Sequence, residues 1–342
     1  MNETREGEAA ASPGPEIERL TDRLVAGLLP ARDPRAHKSI HGRLLIVAGS
    51  LDYAGAALLV ALAAGRAGAG LLRLAVPASL QPLFAGRMLE ATTFAIPETG
   101  TPGEVDPDRA VPHLLAVEHD ALVLGPGLRP GPATVDLVIG LLAGGREDGA
   151  GLPPALVDAE AVNSLSGVAR WWQRRLRPCV LTPHVGEFRR VWPQAGKADL
   201  VRDDVARARV ARETAANWGH VVVLKGARTV VAAPDGRAAE APFENPALAS
   251  GGTGDVLSGT IGSLLAQGLA PYDAACAGVY LHGLAGEAVR DRFGDAGLLA
   301  SDLPDEIARA RHRLGRLRDH RGGRVGFAID RDERGAERRR GA

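Results

Sequence analysis

The sequence predicts an α/β fold with a mostly parallel central sheet covered by helices on both faces, and three observations carry that prediction. Of 342 residues, 45% are apolar and only 4% aromatic, enough to bury a substantial core. Short apolar runs bounded by glycine or proline alternate with longer helix-like stretches. The first run is followed by a glycine turn and then an Ala/Leu-rich segment, the order of a strand, a turn and a helix.

The elements follow in order. Residues 1–15 are rich in Glu, Ala, Gly and Pro without an apolar period, and are expected to be a disordered leader. Residues 43–48 form the first predicted strand, ending at Gly49-Ser50, and residues 54–67 a helix closed by Gly68. Further strands are predicted at 71–76, 121–124, 155–157, 179–181 and 221–224. Helices are expected at 256–269 and 272–293, with Pro271 close to the start of the second, where its missing N–H does little harm. No internal repeat is evident, so 16–317 is expected to be a single domain, and 318–342, dense in Arg and Gly, a basic solvated tail.

Charge and cysteine usage narrow the function. Lys+Arg and Asp+Glu are equal at 41 each, which removes the whole-molecule field a nucleic-acid binder uses. Any anionic ligand is therefore held by local groups. Cys179 and Cys276 sit in apolar stretches without metal or redox spacing, suggesting a reducing, cytoplasmic compartment. The acidic N-terminus lacks signal-peptide character, and no run is long and apolar enough to span a bilayer.

In open parallel sheets ligands sit beyond the carboxyl ends of the strands, and five segments there are unusual. Residues 49–56, Gly-Ser-Leu-Asp-Tyr-Ala-Gly-Ala, allow close backbone approach to a ligand, and fit an ordinary strand-to-helix turn equally well. Gly125-Pro126-Gly127 is a rigid loop suited to a pocket floor; it is not a dinucleotide fingerprint, and no Walker-type lysine motif occurs. Thr182-Pro183-His184-Val185-Gly186-Glu187 places a histidine and a carboxylate after a buried run, as a functional pair or as a helix cap. Lys225-Gly226-Ala227-Arg228-Thr229 offers cations and a hydroxyl for a phosphate or ribose, or else a hairpin turn with solvated charges.

The fifth segment, Ser250-Gly251-Gly252-Thr253-Gly254-Asp255, runs straight into an apolar helix with Ile261, Leu264 and Leu265 on its face. Gly252, Thr253 and Gly254 then form a phosphate cradle of backbone N–H groups at a helix N-terminus. Asp255 stands beside it in the first turn, placed to take a proton from a substrate hydroxyl. The helix dipole is expected to lower the basicity of this carboxylate, leaving placement as its main asset.

A Gly-x-Gly-Asp element at the end of an α/β sheet resembles the ribokinase-like superfamily, which implies a three-layer α/β/α sandwich. The five segments in this order, with Asn245-Pro246 before the cradle and Leu281-His282-Gly283 after it, resemble the NAD(P)H-hydrate dehydratase family over about three quarters of the chain. The resemblance implies a nicotinamide-nucleotide repair enzyme, a lyase. It would dehydrate the S form of NADHX and NADPHX, phosphorylating the ring hydroxyl from ADP or ATP and then eliminating phosphate. It assigns Ala56, Gly127, His184 and Asp255 to the hydrated dinucleotide, Asp255 being the catalytic proton acceptor. Lys225, Gly226, Ala227, Arg228, Thr229 and Gly254 are assigned to the nucleotide. Mg2+ is expected between the nucleotide phosphates, with no protein ligand that can be named. A homotetramer is expected. So is a separate epimerase partner, because about 40 residues before the first strand are too few for an epimerase domain. Glu244 and Leu248 depart from the family's usual glycine and methionine, which suggests a differently shaped loop before the cradle. The competing reading is a ribokinase-like small-molecule kinase of the thiazole or hydroxymethylpyrimidine type, which would release a stable phosphorylated product.

Overall fold

The computed structural model describes residues 17–35, 37–144, 151–196 and 198–319. The expected leader and the tail from 320 onward lie outside the described residues, while Arg318 and Asp319 complete a helix, Leu303–Asp319, and are not part of a tail. Among the described residues ten strands occur in chain order: β1 Glu18–Arg19, β2 Arg43–Val47, β3 Leu71–Pro77, β4 Ala91–Ile96, β5 Ala121–Leu124, β6 Ala155–Val157, β7 Cys179–Leu181, β8 Val221–Leu224, β9 Val230–Ala232 and β10 Ala238–Glu240. They form one sheet in the order β1-β10-β9-β8-β7-β6-β5-β2-β3-β4. The block from β8 to β4 is parallel throughout, whereas β8-β9 and β9-β10 pair antiparallel.

All six strands expected from apolar runs are present, and the four others lack such a signal for physical reasons. β4 reads Ala-Thr-Thr-Phe-Ala-Ile at a sheet edge, where part of it stays solvated. β9 and β10 follow β8 through short hairpins, and β1 is only two residues long. The central strands are buried on both faces, so neighbouring residues belong to different cores. Leu44 and Ile46 join one apolar cluster, while Leu45 and Val47 join the other. Helices Ala54–Arg66, Thr253–Ala266 and Pro271–Phe293 cover the first face; Pro132–Ala143, Val185–Val191 and Asp204–Trp218 are among those covering the second. This is the expected three-layer sandwich. No helix among the described residues is long and apolar enough to cross a membrane.

The helix Thr253–Ala266 begins three residues earlier than its apolar pattern suggests. Gly252, at φ +86°, turns the chain into it, so the glycine-aspartate segment itself becomes the first turn. From Val256 to Ala266 every residue is buried, since this helix lies between the sheet and helix Ala54–Arg66. The close approach depends on Gly259: a Cβ there would stand 2.2 Å from the carbonyl oxygen of Val60. Gly259→Ala should therefore destabilise the protein by about 1–3 kcal/mol through overpacking. Gly315→Ala, in a helix where an added Cβ meets nothing within 4 Å, should be neutral or stabilising by up to about 1 kcal/mol. Denaturant midpoints of the two variants test both expectations.

Candidate active site

The chain runs outward from β2 through β3 to β4, then returns to the other side of β2 with β5 and continues to β8. That reversal puts a topological switch point between β2 and β5, where the strand ends open a crevice. Just beyond β5, β6, β7 and β8 stand Gly125, Asp158, Thr182 and Lys225, and Gly49 is two residues beyond β2, so four of the five segments singled out in the sequence meet at the carboxyl ends of the strands. The fifth, Gly252 to Asp255, faces them from the start of helix Thr253–Ala266.

Lys225 lies at the centre. Although it begins the β8-β9 hairpin, its side chain turns inward and is only 21% exposed: Nζ is 2.9 Å from Oδ1 of Asp158 and 4.0 Å from Oε2 of Glu187. Burial alone would pull the ammonium down, but Asp158, Glu187 and Asp255 outweigh it and hold Lys225 above its ordinary value. Asp158, itself only 2% exposed, also accepts a 2.7 Å hydrogen bond from Oγ of Ser258. Neither Asp158 nor Ser258 is predicted from the sequence. The usable signal is position, since Asp158 directly follows a buried strand, as Lys225 does. Glu187 is buried too, and burial followed by Asp158 raises it against the opposing pull of Lys225.

The cradle is open. No side chain caps helix Thr253–Ala266; the Thr253 amide donates to the Ser250 carbonyl, while those of Gly254 and Asp255 remain available to an anion. The hydroxyl of Thr253 points away, donating to the carbonyls of Leu248 and Ser250, and so shapes the loop. His282, which burial lowers to about 4, is neutral and donates from Nε2 to the Thr253 carbonyl at 2.9 Å. The net shift at Asp255 runs opposite to the expected lowering: burial, reinforced by Asp158 and opposed by Lys225, raises its carboxyl from 3.8 to about 7. With its carboxyl raised by burial, Asp255 is a stronger base than an ordinary carboxylate.

The cradle divides the residues into two groups. On one side a cavity of about 660 Å³ is lined by His184, Lys225, Gly226, Ala227, Thr229, Thr253 and Gly254, with an apolar wall that includes Phe243, Leu257 and Val279. A Cβ on Gly254 would lie 3.5 Å from Lys225 Nζ. On the other side Gly127, at φ +67°, packs so closely on the first turn of helix Ala54–Arg66 that a Cβ would come within 2.8 Å of that of Ala56. Leu59, in the next turn, reaches Gly252. His184 also caps helix Val185–Val191: its Nδ1 accepts from the amides of Gly186 and Glu187, while Glu187 accepts from the His184 amide. The proton is thus on Nε2, beside the cavity. Arg228 turns away, pairing with Glu244 at 2.6 Å, which explains the unusual Glu244. Among the described residues no group of three His, Cys, Asp or Glu is arranged to hold a metal ion; an ammonium stands between the carboxylates instead. Cys179 and Cys276 are buried, with thiols pushed by that burial to about 12.

Comparison with known proteins agrees with this geometry. Residues 44–309 match the family described as NAD(P)H-hydrate dehydratase. The chain is 42% identical over 287 residues to the bifunctional NAD(P)H-hydrate repair enzyme of Moorella thermoacetica, covering 84% of this chain and 52% of that protein. It thus spans about half the length of such bifunctional relatives. It is 35% identical to the ADP-dependent (S)-NAD(P)H-hydrate dehydratase of Bacillus subtilis, covering 84% of this chain and 96% of the relative. The crystal structure of the Bacillus subtilis ADP/ATP-dependent enzyme, co-crystallised with ATP/Mg2+, superposes with a TM-score of 0.72 at 33% identity, over 87% of this chain and 99% of that one. The fold is also shared with a ribokinase-like superfamily protein of Enterococcus faecalis, at a TM-score of 0.70 and 22% identity over 90% of this chain and 99% of that one.

A stability signature follows from the raised Asp255 carboxyl. Its folded-state value of about 7 exceeds the ordinary 3.8, so the folded protein binds this proton more tightly than the unfolded chain. The contribution to stability is full below pH 3.8 and is lost as pH rises through about 7. Asp255→Asn should therefore be more stable than the wild type at pH 8, with the gap closing toward pH 5. Chemical denaturation at the two pH values measures it.

Proposed function

Because this chain belongs to the NAD(P)H-hydrate dehydratase family, we propose that it returns the S forms of NADHX and NADPHX to NADH and NADPH, consuming ADP or ATP. The observation that carries this reading is Asp255, a half-buried carboxyl raised to about 7, beside an uncapped helix N-terminus and a lysine caged by carboxylates. A base with a value near the operating pH is well matched to taking a proton from an alcohol.

In this reading the 660 Å³ cavity takes the nucleotide. Lys225 meets its phosphates, the backbone of Gly226, Ala227 and Gly254 lies along them, Thr229 is available to the ribose, and the apolar wall receives the base. Arg228 contributes through its backbone, because its side chain is engaged by Glu244. The hydrated nicotinamide lies across the switch point against Ala56 and Gly127, with His184 where the two ligands adjoin. Asp255 takes the proton of the ring hydroxyl as its oxygen attacks the terminal phosphoryl group of ADP, and AMP departs. Amides of the cradle and Lys225 stabilise charge on the phosphoryl group in flight. Phosphate then leaves with loss of a neighbouring ring proton, which restores the double bond. The described residues offer no protein cage for magnesium, so the ion is assigned to the nucleotide as its phosphate counter-ion, and no step is routed through it. A cytoplasmic homotetramer working with a separate epimerase belongs to the same proposal; the support for an epimerase is the bifunctional relatives, about twice as long as the matched region.

Purified protein incubated with NADHX and ADP or ATP should regain reduced-nicotinamide absorbance and release inorganic phosphate. No recovery with either nucleotide, or accumulation of a stable phosphorylated product, would reject the reading. Asp255→Asn should bind nucleotide normally while kcat falls roughly 10²–10⁴-fold, the range for loss of a general base.

A further inference from the structure

We propose that Asp158, which carries no role in the assignments above, is a positioning residue for both halves of the site, fixing the Lys225 ammonium relative to Asp255. The inference rests on the proposed dehydratase reading. Asp158 is held from two directions: Ser258, one turn beyond Asp255 on the cradle's helix, donates to Oδ2 at 2.7 Å, and Lys225, on the hairpin after β8, donates to Oδ1 at 2.9 Å. One carboxylate therefore ties the helix bearing the base to the strand bearing the phosphate ligand. Its own backbone is constrained, because Ala159 adopts φ +51°, ψ −119°, a conformation costly for a residue with a Cβ. Strain of this kind persists where surrounding structure overdetermines it. A buried acid serving only to fasten a helix would need neither the lysine nor the strained turn.

The electrostatic consequence is separate from the mechanical one. The charged and titratable groups converging on the cradle are Asp158, Lys225, Glu187, His184 and His282, from four different segments. With three carboxylates, counting Asp255, around one ammonium, a negative charge at Asp158 makes Asp255 hold its proton more tightly, while Lys225 opposes it. Drawn toward Asp158, the ammonium is kept from pairing fully with Asp255, which would quench the base. Asp158 thus lets a lysine needed for phosphate sit beside a carboxylate needed as a base.

The test uses the full chain, with Asp158→Asn and Ser258→Ala. In Asp158→Asn the acidic limb of kcat/KM for NADHX with ADP should move down by roughly one pH unit, and kcat should fall at least tenfold while the Kd for ADP does not rise. Carbon-13 NMR titration of the Asp255 carboxyl should show the same downward shift without any need for turnover. An unmoved limb and an unmoved carboxyl titration, or a loss of kcat matched by a proportional rise in Kd at every pH, would overturn the inference and leave Asp158 merely structural. Should Asp158→Asn fail to fold, Ser258→Ala keeps the charge and removes one tether. It should lower kcat several-fold with the limb in place, and a wild-type kcat would reject the positioning role. Wild-type protein that never turns over NADHX defeats the dehydratase reading instead, while the carboxyl titration still decides whether Asp158 governs Asp255.

Discussion

The pairing of Lys225 with the buried Asp158 is the constraint around which the site is organised. Neither charge could be left alone where it lies: removing one partner of a buried pair leaves the other desolvated and uncompensated, at a cost of about 3–5 kcal/mol. The pair brings together the ends of β6 and β8, and through Ser258 it includes the helix lying above them. A sheet edge, a hairpin and a helix N-terminus are thereby set at mutual distances that ordinary apolar packing does not specify as closely. Packing provides the approach, through Gly259 against the backbone of Val60; the ion pair provides the registration.

The arrangement also reconciles two demands that conflict in water. A nucleotide phosphate calls for cations and free amides, and these lower the basicity of any carboxylate beside them. Here burial is the larger effect, and the nearest cation is engaged by Asp158 and Glu187 before it reaches Asp255. The hairpin shows the same division at smaller scale: Lys225 turns inward to the carboxylates, while Arg228, three residues on, is held outside by Glu244.

Several alternatives left open by the residues resolve as combinations. His184 caps a helix through Nδ1 and still lines the cavity, and the Lys225 segment is a hairpin turn whose first residue is nonetheless largely withdrawn from solvent and ion-paired. The basicity of Asp255 ran opposite to expectation because the dipole argument concerns one helix, whereas desolvation is produced by everything packed around it. Asp158 went unnoticed for a related reason. In the sequence it is one acid in Val-Asp-Ala-Glu, and nothing local separates it from Glu160, which faces part-way to solvent.

The sequence by itself determined the parallel core strands, the layer order, the five turns at the carboxyl ends and the family. Those properties are written in local apolar period, glycine placement and motif order, which a short window of chain displays. The tertiary structure alone decided which charges meet, since Asp158, Lys225 and Ser258 are separated by 67 and 100 residues along the chain. It alone decided the sign of the shift at Asp255, because a pKa in a buried site is set by the dielectric and the charges around it, and these exist only once distant segments have packed.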